Sequence, residues 1–300
     1  MFGGPSQTMA SGEVELAIVG TSQDGGVPHA GCTCENCSVA IMDPIRRLHP
    51  VSCAIRGSDG SLHLIEATRS LAEQLAMASS KLGLGVSKIP ETVCLTHAHL
   101  GHIDGLGQFG KECMGLEGVP LYASRSVHDL LESRGSSIPF NRMEARRDVP
   151  FSPSEGCGFS YTMIPVPHRD EYSDTHAILI EGPNRSLLFL PDHDDWGSTL
   201  ELAGTEGVRE WLKSLGVDFA LLDGTFWDEG ELGGRDMSQI PHPTVSETLE
   251  RLGERREGDP EVLFFHINHT NPVLNLESEQ YRELVSKGWS LAEQGSSIVL

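Results

Sequence analysis

The stretch Leu95–Gly105, LTHAHLGHIDG, sets His97, His99 and His102 close behind the apolar run Val93-Cys94-Leu95. Imidazole suits zinc, manganese and iron, and a catalytic metal site keeps one position open for water. His97 and His99 alternate by two, so a strand that runs on to His99 points both the same way. His102 then falls on the turn into a helix expected to begin near Ile103. Directly before His102, where a two-metal site wants a carboxylate, the chain has Gly101.

Further donors stand behind other apolar runs. IPVPHRD places His168 after a strand pattern, and LFLPDHDDW places Asp192 after another, followed by His193. VLFFHINHT does the same for His266 and His269. Any one of these alone reads as a solvated turn residue. Their recurrence predicts ligands brought from several strand ends to one sheet edge. Cys32, Cys34 and Cys37 crowd into CTCENC, which offers three thiolates and needs a fourth ligand for a closed tetrahedral zinc. The other four cysteines are scattered and read as small core residues rather than a disulfide framework.

These donors need a scaffold. VELAIVGT (14–21) has a strand pattern, and CAIRG and LHLIEA read as a hairpin around Ser58-Asp59-Gly60. Residues 70–82 have helical spacing with Ser70 as N-cap, and ETVCLTHA reads as a buried strand. PLYAS and then 126–133 repeat strand and helix. Later strands are YTMIPVPH, HAILIEG, SLLFLPD, FALLDGTF and VLFFHINH, with helices near 206–215, 244–253 and 277–287. The alternation predicts an α/β layered fold. An N-terminal arm, 1–13, is expected to be flexible ahead of one domain over 14–300.

Net charge is −21, with 43 acidic and 22 basic residues, a field that disfavours nucleic acid and anionic membrane as partners. No apolar run approaches the roughly 18 residues of a membrane span, and no secretory signal is visible, so the expected location is the cytoplasm.

LTHAHLGHIDGL resembles the His-Xaa-His-Xaa-Asp-His signature of the metallo-β-lactamase superfamily. The resemblance runs from about residue 14 to 300 and implies an αββα sandwich. It implies a first metal site of His97, His99 and His168. It implies a second of His102 and His266, with Asp192 bridging. Gly101 is the departure, and Asp104 or His193 could stand in for the lost carboxylate, with Asp223 a further accessory residue. CTCENC is similar to the cluster of the phosphonate-operon phosphodiesterases, where the fourth ligand lies three residues beyond the last active-site histidine. That assigns His269 to the structural zinc, with His29 competing. The superfamily's phosphodiesterases and tRNA-processing nucleases carry a histidine near the position of His242, ahead of the last metal histidine, proposed to protonate the leaving group. GTSQDGGVPHAGCTCENC, LDGTFWDEGEL and HINHTNPVL resemble the pyrroloquinoline-quinone biosynthesis B family, whose members are implicated in an oxidative step with iron. That family tends to lack several front histidines that this chain keeps.

The implied activity is hydrolysis of a phosphodiester, lactone or other ester by a hydroxide made on one or two divalent metals (zinc, manganese or iron), beside a structural Cys3His zinc. Asp192 and His242 are its catalytic residues. The substrate is a small molecule, and a homodimer is left open. The alternatives are an iron oxygenase and a metal-stabilised protein without catalysis.

Overall fold

Strand alternation sorts the apolar residues into three separate cores. In the computed structural model, which describes residues 12–136, 139–232 and 239–300, the first sheet joins seven strands. They are β1 (Glu15–Gly20), β2 (Ser52–Arg56), β3 (Leu62–Ile65), β4 (Thr92–Cys94), β5 (Val119–Ala123) and β6 (Phe140–Glu144), with β13 (Ser297–Val299) beside β1. The second joins β7 (Ser160–Val166), β8 (Thr175–Glu181), β9 (Ser186–Leu190), β10 (Phe219–Asp223), β11 (Glu261–Phe265) and β12 (Ser290–Leu291). Residues 1–11 of the expected arm lie outside the described residues.

Leu16, Ile18 and Ile55 of the first sheet meet Ile178, Phe189 and Phe265 of the second in one buried core. The alternate residues Ala17, Val19 and Ala54 face outward, where α2 (Leu71–Lys81) and α4 (Arg125–Ser133) cover them with Leu71, Leu75, Val127 and Leu131. On the far side, α5 (Trp196–Ala203), α6 (Val208–Ser214), α7 (Val245–Leu252) and α8 (Glu279–Ser286) cover Leu188, Leu222 and Phe264. The result is the expected αββα order. Each sheet is buried on both faces, which is why most strands read as continuous apolar runs.

Direction decides where the donors emerge. β3 runs parallel to β4, and β9, β10 and β11 run parallel to one another. β7 is antiparallel to β8, and β8 to β9, so β7 runs with β9. The same double reversal through β2 makes β1 run with β3. The C-terminal ends of these strands therefore open on common edges, where α/β folds build their sites.

Four details differ from the expectation. β4 stops at Cys94 rather than continuing to His99, because the Thr96 backbone turns to other partners: its N–H donates to Glu66 and its carbonyl accepts from His176 N. His97 and His99 thus sit in a loop, and α3 (Leu100–Ile103) begins earlier than expected and contains His102. α1 (Glu35–Met42), α5, the edge strand β6 and the short strands β12 and β13 appear where no element was expected. Cys113 is exposed, unlike the buried Cys53, Cys94 and Cys157.

His63 on β3 is fully buried between Ser61 and Thr92 hydroxyls. Burial, opposed in part by Asp59, pushes its pKa down to about 4. Between the ordinary value near 6.5 and 4, the unfolded chain binds a proton that the folded chain does not, so this residue costs stability as pH falls through that window. The full span is worth about 3 kcal/mol. His63→Gln, which cannot titrate, should lose less stability than the wild type between pH 6.5 and 4.5, read as the shift in urea midpoint. Equal shifts would refute the assignment.

Candidate metal centre

Six candidate donors converge where the two sheets' edges meet. His97 Nε2 lies 2.9 Å from His99 Nδ1, and the donor atoms of His97, His99 and His168 all fall within 4.8 Å of one another. Asp192 follows β9 and is buried at the centre. Its Oδ2 lies 3.2 Å from His102 Nε2 and 3.6 Å from His266 Nε2, and its Oδ1 lies 3.5 Å from His168 Nε2. Ligands on a tetrahedral ion with metal–nitrogen bonds of about 2.0–2.1 Å stand roughly 3.4 Å apart. These spacings fit that figure.

Each imidazole is aimed from behind. Thr96 Oγ1 donates to Glu66 Oε1 at 2.6 Å and so can accept only from the His97 Nδ1–H, 2.9 Å away. On the other sheet, Thr225 Oγ1 donates to Asp223 Oδ1 at 2.7 Å and accepts from the His266 Nδ1–H at 2.8 Å. Both relays leave an Nε2 lone pair turned inward, the tautomer a metal requires. His102 has Glu66 Oε1 3.5 Å behind Nδ1, and His168 has Asp194 Oδ1 3.2 Å behind its own. The inward Nε2 atoms of His102 and His266 and Oδ2 of Asp192 are buried without a hydrogen-bond partner. Buried polar atoms normally find one, so this donor set fits a cation.

The backbone carries strain at the same edge. Glu66, Arg169 and His266 have φ of 63°, 31° and 57°. Non-glycine residues hold this region only where surrounding bonds impose it. Around His266, those bonds are Ile267 N to Thr21 O and Gln23 N to Ile267 O, at 2.9 and 3.0 Å.

Charges follow from the geometry. Burial opposes ionisation of Asp192, yet the flanking His266 and His102 hold its pKa well below the carboxylate range. Burial and the neighbouring His102 keep His97 neutral, and burial lowers His99 to about 4. His242 sits before α7, with Nδ1 2.7 Å from Asp223 Oδ2 and Nε2 4.0 Å from Asp192 Oδ1. Burial disfavours its charged form, but Asp223 overcomes this and raises its pKa. A cavity of about 250 Å³ opens over the centre, with Arg169, Phe226, Leu232, Ile240 and Asn268 in its walls.

The expected stand-ins for the missing carboxylate do not fill it. Asp104 turns away to Arg69, 3.4 Å distant. The His193 ring is buried against Trp196 and bonds Thr199 Oγ1 through Nδ1 at 2.8 Å. Asp24, from the loop after β1, takes the space instead. Its Oδ1 lies 3.3 Å from His102 Nε2 and 3.6 Å from His266 Nε2. Sequence reasoning missed Asp24, Glu66 and Thr225. Glu66 had a local signal, an acid directly behind an apolar strand. Asp24 lies inside the stretch GTSQDGGVPHAGCTCENC, whose resemblance reads through its cysteines, and no neighbouring donor singles it out as a ligand.

Cys32, Cys34, Cys37 and His269 form a second cluster. His269 Nδ1 lies 3.4 Å from Cys32 Sγ and 3.5 Å from Cys34 Sγ, near the ~3.5 Å expected across a zinc tetrahedron with one nitrogen and one sulfur. His29 stacks on the His269 ring, 4.4 Å between centroids, and gives its backbone N–H to Cys37 Sγ. It supports the cluster, and His269 completes it.

Two sandwiched sheets with imidazoles and a shared aspartate at one edge define a metallo-β-lactamase-type protein, and the chain belongs to the beta-lactamase superfamily, whose domain matches residues 64–267. Its curated relatives include coenzyme PQQ synthesis protein B of Cupriavidus necator, 26% identical over 95% of this chain and 99% of the relative. The Ruegeria pomeroyi protein of the same name is 27% identical over 96% of this chain and 100% of its own length. Among solved structures, Zn2+-bound PqqB from Methylobacterium extorquens superposes with a TM-score of 0.73 at 22% identity, covering 95% of this chain and all of that one. A diphosphatase of the PhnP family gives 0.67 at 21% identity over 96% and 97% of the two chains.

Structural zinc binding is folding free energy. Cys34→Ser should lose at least one zinc equivalent per chain, counted by plasma emission, and should unfold at lower temperature. An unchanged zinc count with unchanged stability would remove the Cys3His assignment.

Proposed function

We propose that this protein is a metal-dependent hydrolase of a small phosphodiester, lactone or related ester. The observation that carries the reading is the His242–Asp223 pair, a proton donor held beside the histidine–aspartate cluster and facing the cavity. His97, His99 and His168 would hold one divalent metal, and His102 and His266 a second, with Asp192 between them. Zinc, manganese or iron bound there supplies Lewis acidity and a water acidic enough to ionise near neutral pH.

The chain's own residues do the rest. Asp223 accepts the His242 Nδ1–H and so presents the protonated Nε2 toward the cavity. As the water oxygen bonds to the phosphorus or acyl carbon and the ester bond breaks, Nε2–H passes its proton to the departing oxygen, and the proton the water sheds restores His242 by way of solvent. Thr225 steadies Asp223 through both its N–H and its hydroxyl. Phe226, Leu232 and Ile240 keep the cavity wall apolar, and the Arg169 guanidinium can meet an anionic group of the substrate. The remaining surface is strongly acidic, which favours a small substrate over a polynucleotide. The PhnP-family diphosphatase with the same fold supports phosphoester chemistry, and thiolate ligands suit a reducing compartment such as the cytoplasm.

The second reading is a step in cofactor synthesis, favoured by full-length similarity to PQQ synthesis protein B. Metal analysis paired with diesterase, lactonase and oxygen-uptake assays separates the two. Zinc or manganese with ester turnover supports hydrolysis. Iron with oxygen uptake supports the oxidative route, and neither activity leaves a scaffold. For the hydrolase, His242→Ala should lower kcat by about two orders of magnitude while metal content stays constant. Loss of metal in that variant would make His242 a ligand instead of the proton donor.

A further inference from the structure

We infer that Asp24 is the carboxylate ligand of the second metal, and that it replaces in space the acid missing at position 101. A Cβ built on Gly101 would lie 2.2 Å from Asp24 Cγ and 2.3 Å from its Oδ1, well inside contact distance. The Asp24 carboxylate thus occupies the volume that a side chain from position 101 would need. Gly101 lies within α3, where glycine costs roughly 1 kcal/mol relative to alanine. Close approach of Asp24 accounts for its presence there, since any larger residue collides.

The donor geometry agrees. Asp24 Oδ1, His102 Nε2 and His266 Nε2 all lie within 4.8 Å of one another, with Asp24 3.3 and 3.6 Å from the two nitrogens. Asp192 Oδ2 faces the same two nitrogens at 3.2 and 3.6 Å. Asp24 thus forms one donor group with His102 and His266, and Asp192 faces the same two nitrogens; of these four donors, all but Asp24 Oδ1 are buried without a hydrogen-bond partner. Such a set suits a hard or borderline divalent cation.

The loop that carries Asp24 is fixed rather than free. Gly26 N donates to Gln23 O at 2.9 Å and closes a turn around Asp24. Gln23 N donates to Ile267 O and Ile267 N to Thr21 O, which ties the loop to the residue after His266. A few residues on, both segments meet again at the Cys3His cluster, Cys32, Cys34 and Cys37 from one and His269 from the other. The two ligands that distinguish the second metal site, Asp24 and His266, are thus mounted on the two strips of chain that the zinc cluster clasps.

This inference rests on the reading of two metals at the sheet edge and is independent of which reaction they serve. The test is a metal count on dialysed full-length protein, with zinc as the probe, alongside thermal unfolding. The wild type should hold about three equivalents per chain, one in the cysteine cluster and two at the edge. Asp24→Ala and the isosteric Asp24→Asn should hold about two and keep their fold. Gly101→Asp alone should lower the unfolding temperature, because two carboxylates compete for one space. Gly101→Asp combined with Asp24→Gly should regain the third equivalent. Three equivalents in wild type and in both Asp24 variants would overturn the role of Asp24 while sparing the two-metal reading. Two or fewer in wild type would overturn both. Failure of the double variant to regain the metal, or a neutral Gly101→Asp, would overturn the exchange of positions.

Discussion

A single buried carboxylate sets the terms for this structure. Asp192 is almost wholly enclosed and has His102, His168, His242 and His266 within 4.0 Å. Enclosing an ion of this size costs several kcal/mol unless partners compensate it closely. The partners come from both sheets, since His102 follows β4 and the others follow β7, β10 and β11. Compensation therefore requires the two sheets to be stacked in one register, with their C-terminal edges aligned. The inter-sheet core of Ile18, Ile55, Phe189 and Phe265 supplies the apolar energy for that stacking. Packing holds the register, and the charge cluster makes other registers expensive.

The orienting groups extend the same logic outward. Glu66–Thr96–His97 on one sheet and Asp223–Thr225–His266 on the other are the same relay built twice. In each, a carboxylate fixes the hydroxyl rotor, and the rotor fixes the imidazole tautomer. The strained backbone at Glu66 and His266 is the cost of turning a strand end sharply enough to aim these groups inward. Asp223 serves two clients, since its Oδ2 also holds His242. Ligand orientation and proton delivery are thereby joined through one side chain.

The sequence disclosed what local pattern can carry. Closely spaced histidines, a three-cysteine cluster and apolar runs ending in donors placed most of the centre and the layer order. It did not disclose where β4 ends, because ETVCLTHA stays apolar and β-like past Cys94 while tertiary bonds to Glu66 and His176 draw the backbone out of the sheet. β6 escaped notice because FNRME is a polar edge strand whose Arg142 is held by Glu132 and Glu144 rather than by a core. α5 escaped because Gly197 interrupts its helical pattern near the start, where the Asp195 cap on Ser198 N compensates. Asp24 was illegible for a deeper reason. A contact between positions 24 and 101 has no periodicity, and only the fold brings the end of β1 beside the start of α3.

That contact changes what the glycine means. Read along the chain, Gly101 is the loss of an acid from a metal-binding signature. Read in space, the Asp24 carboxylate stands where a side chain from position 101 would reach, and the glycine leaves room for it. An acid from either place can serve this position because β1 runs in the same direction as β3 and β4, so the loops after β1 and β4 reach the same edge. The placement has a physical consequence that a local aspartate would not have. An acid at position 101 would be held by its own helix beside His102. Asp24 is held by a loop whose far end is anchored by Cys32, Cys34 and Cys37, against a segment anchored by His269. On the proposed two-metal reading, the precision of the second site depends on the cysteine cluster, and the two donor groups form one mechanical unit rather than two neighbours.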